Sequence, residues 1–168
     1  MMARANPEMA LRPFLPADAP LVAEIFRASI EELAAEDYSE AQQGAWASAA
    51  DDEEAFAARL AGQLTLLATL EGSPVGFASL AGTDRLDMLY VHPAAAGQGV
   101  GRMLCDALER LAAARGTARL LADVSDNARG FFDKRGFVAQ QRNTVFRGDE
   151  WLANTTMQKD LAGKGSAR

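Results

Sequence analysis

A glycine-rich loop is the segment of this sequence whose residue types and spacing most directly suggest chemistry. It reads GQGVGR from Gly97 to Arg102 and lies between a strand-like apolar segment and an amphipathic one. The first turn of a helix has unpaired N–H donors and a partial positive charge, and glycines let a phosphate approach the main chain. The loop therefore predicts phosphate binding, with a plain tight turn into a helix as the alternative interpretation.

Two common nucleotide-binding motifs do not fit this loop. A Walker A motif needs Lys followed by Ser or Thr after its last glycine, whereas Arg102 and Met103 stand here. In a dinucleotide-binding fingerprint that starts at Gly99, the third glycine would fall at Leu104. Neither motif explains the loop.

The composition of the 168-residue chain argues against several other kinds of site. The single cysteine, Cys105, excludes an internal disulfide and a CxxC metal or redox site, and the single histidine, His92, excludes an HExxH metalloprotease. The net charge of −6 argues against nucleic acid as the main partner. No apolar run approaches the roughly 18 residues of a membrane-spanning helix. We therefore expect a cytoplasmic protein without a metal site that binds neither nucleic acid nor a membrane.

Acidic residues are concentrated in one stretch, Glu31–Glu54, which contains no Lys or Arg and is called the acidic segment below. It holds nine of the 23 acidic residues, so the rest of the chain has 14 acidic against 17 basic residues and is net positive. Solvated helix faces are the ordinary explanation of such a run. The alternative is a surface that attracts a cationic ligand, whose affinity would weaken with salt.

The first third of the chain is predicted to be mostly helical. A short strand over Met9–Phe14 precedes a helix that starts at Pro16–Asp18 and carries apolar residues at helical spacing, namely Leu21, Val22, Ile25, Phe26, Ile30 and Leu33. Ser39 is expected to cap a second helix that carries Trp46. Asp51 or Asp52 is expected to open a third, with Phe56 and Leu60 one turn apart.

The rest of the chain is predicted to form a sheet interrupted by one long helix. Three antiparallel strands come before the loop, at Leu64–Leu70, Val75–Leu80 and Leu86–Val91. The helix after the loop has one apolar stripe, made of Val100, Leu104, Leu108 and Leu111. A strand, a short helix and two last strands follow, at Leu120–Val124, Asn127–Lys134, Val138–Phe146 and Trp151–Met157. This order predicts a single α+β domain at residues 9–161, with a flexible leader at 1–8 and a flexible tail at 162–168.

The residues on both sides of the loop resemble the acetyl-CoA motif of the GNAT superfamily of N-acetyltransferases. The strand ends in DMLYVHP, from Asp87 to Pro93, and Ser125–Phe137 is similar to the superfamily's second cofactor segment. The resemblance covers the element order from about Leu11 to Leu161. It implies a mixed, mostly antiparallel sheet of about seven strands with flanking helices. In that sheet the strand that ends at Val91 and the strand Leu120–Val124 would splay apart to admit acetyl-CoA.

The resemblance also implies a role for each matching residue. Main-chain groups of Leu89 and Val91, on either side of Tyr90, would pair with the pantetheine amides, and one N–H would hold the developing oxyanion. The pyrophosphate would lie against the N–H groups of Gly97, Gln98, Gly99, Val100, Gly101 and Arg102. The pantetheine arm would be bonded by Asn127 and packed by Phe131. Lys134 or Arg135 would meet the 3′-phosphate, or would serve as a plain solubilising charge.

Two positions depart from the superfamily pattern. Ala96 stands where many members have Arg or Gln, which removes one side chain but leaves the backbone cradle. Phe132 stands where many members have a tyrosine that acts as general acid. Free thiols have a pKa of about 8.5, so a thiolate can leave and take its proton from solvent.

An amine acceptor must lose a proton before it attacks, so the site also needs a base. Asp87 is the first candidate, because strand alternation would place it on the same side as Leu89 and Val91, and carboxylates on this strand act as bases in some relatives. Tyr38 is the second, because the loop between the first two helices borders the acceptor site in this superfamily. A salt-bridged carboxylate and a half-buried packing aromatic are the respective alternatives.

The resulting prediction is an acetyl-CoA-dependent enzyme that acetylates a primary amine by direct attack, without an acyl-enzyme. A small cationic amine is favoured, because the acidic segment spans elements that usually form the acceptor side. Phe132 favours the alternative of a catalytically silent acyl-CoA-binding module, and a protein N-terminus or lysine is the alternative acceptor. The oligomeric state stays open, and a homodimer is one option.

Overall fold

The computed structural model describes residues 8–161, in which seven strands form one mixed sheet. The strands are β1 (Met9–Pro13), β2 (Leu64–Leu70), β3 (Ser73–Ala81), β4 (Arg85–Val91), β5 (Arg119–Ser125), β6 (Val138–Arg147) and β7 (Glu150–Asp160). Their order is β1-β2-β3-β4-β5-β7-β6, and β4 and β5 are the parallel neighbours in an otherwise antiparallel sheet. The predicted α+β fold and its mostly antiparallel seven-stranded sheet are confirmed. The predicted tail and all of the predicted leader except Glu8 lie outside the described residues.

Five helices cover the two faces of the sheet. They are α1 (Ala19–Leu33), α2 (Glu40–Ala47), α3 (Glu53–Ala61), α4 (Val100–Ala114) and α5 (Arg129–Lys134). One apolar core lies between the sheet and α4, and a second lies between the sheet and the pair α1 and α3. A third, smaller cluster contains Ala34, Tyr38 and Leu152. None of the described helices is both long and apolar enough to cross a membrane.

Local sequence signals account for the starts of the first helices. Ser39 accepts a hydrogen bond from the Gln42 backbone N–H, and the Gln42 side chain accepts one from the Ser39 N–H, which is the reciprocal capping arrangement. Asp52, rather than Asp51, caps α3 by accepting from Ala55. The last helix, α5, begins at Arg129, because residues 126–128 form a separate turn of 3₁₀ helix.

Three leucines that were predicted on buried stripes are instead partly exposed. Leu21 and Leu33 of α1 are 48% and 39% exposed, and Leu111 of α4 is 36% exposed. In α4 the buried row continues from Leu108 to Ala112, because the helix packs along the four-residue ridge and Leu111 falls beside it.

The parallel pair β4 and β5 is joined over only two residue pairs. Arg85 pairs with Leu121 and Leu86 pairs with Ala122. Beyond these two residue pairs, β4 and β5 are not paired with each other. A cavity separates them over the rest of their length. The predicted splayed strand pair is therefore present, and it places an opening in the middle of the sheet.

Candidate active site

A cavity of about 400 Å³ lies in the wedge between the splayed strands. Leu86–Tyr90 of β4 and Ala122–Ser125 of β5 line it on two sides. The other walls come from the α1–α3 region, from the α5 region and from β6 and β7, and they include Phe26, Tyr38, Trp46, Phe132, Val145 and Asn154. The opening in the sheet thus leads to a space shared by both halves of the fold.

The glycine loop forms an uncapped helix start. Gly97 and Gly99 have φ angles of +80° and +87°, which side-chain-bearing residues rarely adopt. Gly99 is the N-cap of α4 and provides no side-chain cap, so the backbone N–H groups of Val100 and Gly101 keep their hydrogen-bonding capacity. A Cβ at Gly97 or Gly99 would have no atom within 4 Å. This geometry fits an anion that lies against the main chain.

Three of the predicted cofactor residues meet at the start of α4. A Cβ built on Gly101 would lie 3.7 Å from Cγ2 of Val91 and 3.7 Å from ring atoms of Phe131. The Phe131 ring packs edge-on against Phe132, with centroids 5.2 Å apart. The predicted pantetheine-binding strand, glycine loop and aromatic residue are therefore contiguous. Asn127 is exposed and lies in the turn that precedes α5.

The two basic residues at the end of α5 have different surroundings. Arg135 forms ion pairs with Asp106 and Glu109 of α4, and its side chain is only 13% exposed. Lys134 is exposed and has no ion pair with the described residues. Of the two, Lys134 is therefore the one whose charge is available to a phosphate.

The predicted orientation of Asp87 is wrong because the strand contains a β-bulge. On β3 the neighbours Ser79 and Leu80 pair with Met88 and Leu86, so Asp87 is the extra residue. Its Oδ2 accepts hydrogen bonds from Arg59, at 3.1 and 2.9 Å, and from Gln63 at 2.9 Å, both on the α3 side of the sheet. Asp87 lines the cavity, but from the face opposite the core that Leu89 and Val91 pack against.

Tyr38 links the loop after α1 to two other parts of the wedge. Its hydroxyl donates to the carbonyl oxygen of Ala153 at 2.6 Å and accepts from the backbone N–H of Asp126 at 2.9 Å. The residue is 5% exposed, so it is more buried than the half-buried aromatic of the sequence interpretation. Burial raises the pKa of Tyr38 above its ordinary value. Both hydrogen-bonding directions of the hydroxyl are thus occupied within the protein.

The side chain of Tyr90 belongs to the cavity wall rather than to the cofactor side. Its hydroxyl accepts from Nε1 of Trp46 at 3.1 Å, and its ring stacks on Phe77 with centroids 5.6 Å apart. Burial raises the pKa of Tyr90 to about 12, so the hydroxyl stays protonated at neutral pH. Phe132, also in the cavity wall, has no group that could donate a proton.

The single histidine and the single cysteine of the chain lie in structural positions. His92 accepts from the Ala94 backbone N–H through Nδ1, at 3.1 Å, and so caps the turn that follows β4. Cys105 is fully buried in α4, and burial raises the pKa of its thiol to about 12. Within residues 8–161, no three His, Cys, Asp or Glu side chains lie close enough together to hold a metal ion.

The charged wall of the cavity contains two arginines that the sequence interpretation missed. Arg59 is 28 residues from Asp87, and helical spacing alone gives no reason to pair the two. Arg147 lies at the end of β6, where the sequence indicated only a turn. The acidic segment provides Tyr38, Trp46 and Ala49 to the wall, whereas its nine carboxylates are all exposed and none lines the cavity.

Comparison with known proteins shows which family this chain belongs to. A family model described as an acetyltransferase (GNAT) domain matches residues 34–161, which is most of the chain. The chain is a GNAT acetyltransferase. Membership makes it an acetyl-CoA-dependent acyltransferase, in agreement with the named relatives.

Relatives of this GNAT acetyltransferase include proteins known by sequence and by structure. It is 29% identical over 148 residues to the uncharacterized N-acetyltransferase YafP of Escherichia coli (strain K12). The matched region covers 88% of this chain and 93% of YafP. A crystal structure of a GCN5-related N-acetyltransferase from Rhodopseudomonas palustris, called "Aminotransferase, Class-II", matches with a TM-score of 0.90 and 65% identity. That match covers 95% of this chain and 99% of the other. The PaiA N-acetyltransferase of Thermoplasma acidophilum, solved in complex with coenzyme A, shares the fold with a TM-score of 0.75, 21% identity and coverage of 91% and 99%.

Proposed function

We propose that this GNAT acetyltransferase transfers the acetyl group of acetyl-CoA to a small primary amine by direct attack, without an acyl-enzyme. The observation that carries the proposal is the wedge between β4 and β5. The uncapped glycine loop follows β4 on the α4 face, and the cavity in the wedge has a carboxylate on the α3 face. A donor held on one face and an acceptor held on the other would meet at the opening.

The cofactor side is assigned to the loop and to the strand before it. In this proposal the N–H groups of Gly97, Gln98, Gly99, Val100, Gly101 and Arg102 hold the pyrophosphate, which the open, uncapped helix start supports. Main-chain groups of Leu89, Tyr90 and Val91 bind the pantetheine arm as an added strand would. Phe131 packs on that arm, Asn127 donates to it, and Lys134 meets the 3′-phosphate.

Asp87 is proposed as the base for the acceptor. Arg59 and Gln63 hold its Oδ2, while no hydrogen bond from the described residues reaches Oδ1. Oδ1 takes one proton from the ammonium group, and the freed nitrogen lone pair attacks the thioester carbonyl carbon. A main-chain N–H of β4 holds the oxyanion, as electrostatic stabilisation of such intermediates requires. The attacking nitrogen releases its second proton to solvent, the C–S bond breaks, and the thiolate takes a proton from solvent. Asp87 then returns its proton to solvent.

Tyr38 is proposed as a positioning residue for the same step. Its two hydrogen bonds tie the acceptor-side loop to β7 and to the turn after β5, so it fixes the width of the wedge. The absence of an acyl-enzyme in the proposal is supported by Cys105, whose thiol is fully buried and does not line the cavity. A single buried cysteine also suits the cytoplasmic location that we propose.

The acidic segment is proposed to favour acceptors in their cationic form. All nine carboxylates are exposed, and none forms an ion pair with the described residues, so their field extends into solvent. Because none of them lines the cavity, the segment would act on the approach of an ammonium group rather than on its final position.

Calorimetric titration with acetyl-CoA, followed by release of free thiol across an amine panel, tests the proposal. The panel contains alkylamines, a polyamine, a peptide with a free N-terminus and a lysine peptide blocked at its N-terminus. Saturable binding together with thiol release that depends on a small amine supports the proposal. Binding without release from any acceptor would indicate a silent acyl-CoA-binding module, the alternative that Phe132 favours. Release with the peptides alone would indicate a protein acceptor.

A further inference from the structure

Four charged side chains line the cavity, and three of them already have counter-ions. Arg59 is paired with Asp87 at 2.9 Å. Asp123 is paired with Arg85 at 3.1 Å and also accepts a hydrogen bond from Thr156. The fourth, Arg147, has neither an ion pair nor a side-chain hydrogen bond with any residue in 8–161. Arg147 is therefore the charged side chain of the lining that has no counter-ion among residues 8–161.

The position of Arg147 is fixed by the hairpin that carries it. Val145 and Arg147 alternate onto the cavity side of β6, while Phe146 lies on the other side and packs against Trp151 with ring centroids 4.8 Å apart. The turn after Arg147 rests on α2, because a Cβ at Gly148 would lie 3.5 Å from Cβ of Ala45.

A second contact holds the same hairpin against α2. The Gln42 side chain donates to the carbonyl oxygen of Trp151 at 2.7 Å. The end of β6 is thus attached to the helix that provides Trp46 to the cavity wall. Arg147 is therefore presented to the acceptor side of the wedge by a fixed element rather than by a free loop.

We propose that Arg147 binds a carboxylate of the acceptor, so that the enzyme acetylates amines that also carry an anionic group, in the manner of an amino acid. The proposal rests on the proposed function and names its acceptor class. A guanidinium presents several N–H donors in a plane that matches a carboxylate. The single unpaired charge of Arg147 matches a singly charged carboxylate. The acceptor then has an ammonium end that approaches Asp87 and a carboxylate end that Arg147 holds.

This arrangement also separates the two charges of the acceptor in space. Asp87 lies at the bulge of β4 where the wedge begins, and Arg147 lies at the end of the β6–β7 hairpin. A compact zwitterion is oriented by two opposite charges, and its amine is directed toward the strand that holds the thioester. A simple alkylamine has only the first of these contacts.

Binding of matched reaction products tests the proposal independently of turnover. The CoA-saturated protein is titrated calorimetrically with N-acetyl-5-aminopentanoate and with N-acetylpentylamine, which differ by the carboxylate alone. We expect the acid to bind about tenfold more tightly to the wild type, the size of effect typical of a hydrogen bond to a charged group. Arg147→Gln should bring the ratio close to one.

Arg115→Gln is the matched control. Arg115 is likewise an exposed arginine without an ion pair in the described part of the chain, but it lies at the far end of α4, outside the cavity. This variant should keep the wild-type ratio. An equal affinity of the wild type for both ligands, or a preference that survives in Arg147→Gln, would overturn the proposal.

A measurement on the wild type keeps the test valid if Arg147→Gln folds poorly. Because Arg147 is exposed, raising the salt concentration from about 0.05 M to about 0.5 M should reduce the ratio of the affinities for the acid and the alkyl ligand. An affinity ratio that does not respond to salt would contradict an ion pair at this site. Thiol release with 5-aminopentanoate and with pentylamine separates the two proposals. Equal rates with both amines refute the role of Arg147 and leave acetyl transfer standing. If neither amine releases thiol but the acid still binds more tightly than the alkyl ligand, acetyl transfer is refuted and the binding of a carboxylate by Arg147 stands.

Discussion

Gly76 of β3 lies directly beneath Val100, the first residue of α4, and a Cβ on Gly76 would be 2.9 Å from Cγ1 of Val100. The same Cβ would lie 3.1 Å from the carbonyl oxygen of Tyr90 and 3.3 Å from Leu104. The absence of a side chain at this position lets the helix start sit close to the sheet. The glycine loop is therefore positioned by the strand beneath it as well as by its own backbone.

Substitution of Gly76 by alanine should destabilise the protein. Because the contact includes backbone as well as side chains, we expect Gly76→Ala to lower the free energy of unfolding by about 1–3 kcal/mol, as over-packing of a core does. It should also weaken acetyl-CoA binding by displacing the first turn of α4. The matched control is Gly44→Ala, because a Cβ there, in α2, has no atom within 4 Å. That variant should gain about 0.5–1 kcal/mol. Urea unfolding measures both, and equal effects would contradict the close approach.

A negative charge at Gly99 should abolish cofactor binding. Gly99→Glu places a carboxylate at the helix start that we assign to the pyrophosphate, so we expect the affinity for acetyl-CoA to fall by at least about 100-fold. Gly116→Glu is a close control, since Gly116 follows the other end of α4 with φ +88° and also has no atom within 4 Å of a Cβ. Both variants strain the backbone similarly. Calorimetry should therefore show binding lost in the first and kept in the second, and loss in both would indicate a general folding defect.

The sequence was sufficient to predict the features that depend on local pattern. The loop at Gly97–Arg102, the Ser39 cap and most of the apolar rows of α1 and α4 are set by residues a few positions apart, although Leu21, Leu33 and Leu111 of those rows are partly exposed. Alternation and turn signals indicated the strands, and the motif resemblance indicated their splaying. These features are encoded along the chain, so one sequence is enough to find them.

Features that depend on contacts between distant residues were missed. Strict alternation put Asp87 on the wrong face, because the bulge depends on how β4 aligns with Ser79 and Leu80 of β3. Arg135 was offered as a phosphate ligand because its bonds to α4 are invisible in sequence. Arg147 could not be recognised, since its importance comes from the absence of a counter-ion once the fold is formed.

Removal of the Asp87 carboxylate should produce a loss of activity that depends on pH. If Asp87 is the base, Asp87→Asn should lower kcat by about 100-fold or more near neutral pH, with little change in the KM for acetyl-CoA. The loss should shrink as the pH approaches the pKa of an alkylamine, about 10, because the acceptor then loses its proton in solution. Arg59→Gln retains the carboxylate and should cost less than Asp87→Asn. Thiol release measured across the pH range gives the profile, and a loss that is constant with pH would assign Asp87 a structural role.

The buried thiol of Cys105 should make the fold less stable in alkali. Burial raises its pKa from 9.0 to about 12, so above pH 9 the unfolded chain loses this proton while the folded chain keeps it. The stabilisation is thus fully present below pH 9 and declines as the pH rises toward 12. We expect Cys105 to account for about 1 kcal/mol of lost stability between pH 9 and pH 10.

Tyr90, whose pKa is raised from 10.0 to about 12, should contribute in the same direction mainly above pH 10. Urea unfolding at pH 8, 9, 10 and 11 should therefore give a flatter profile for Cys105→Ala than for the wild type, whereas Tyr90→Phe should flatten the profile mainly above pH 10. Parallel profiles for wild type and Cys105→Ala would mean that the thiol ionises equally readily in both states.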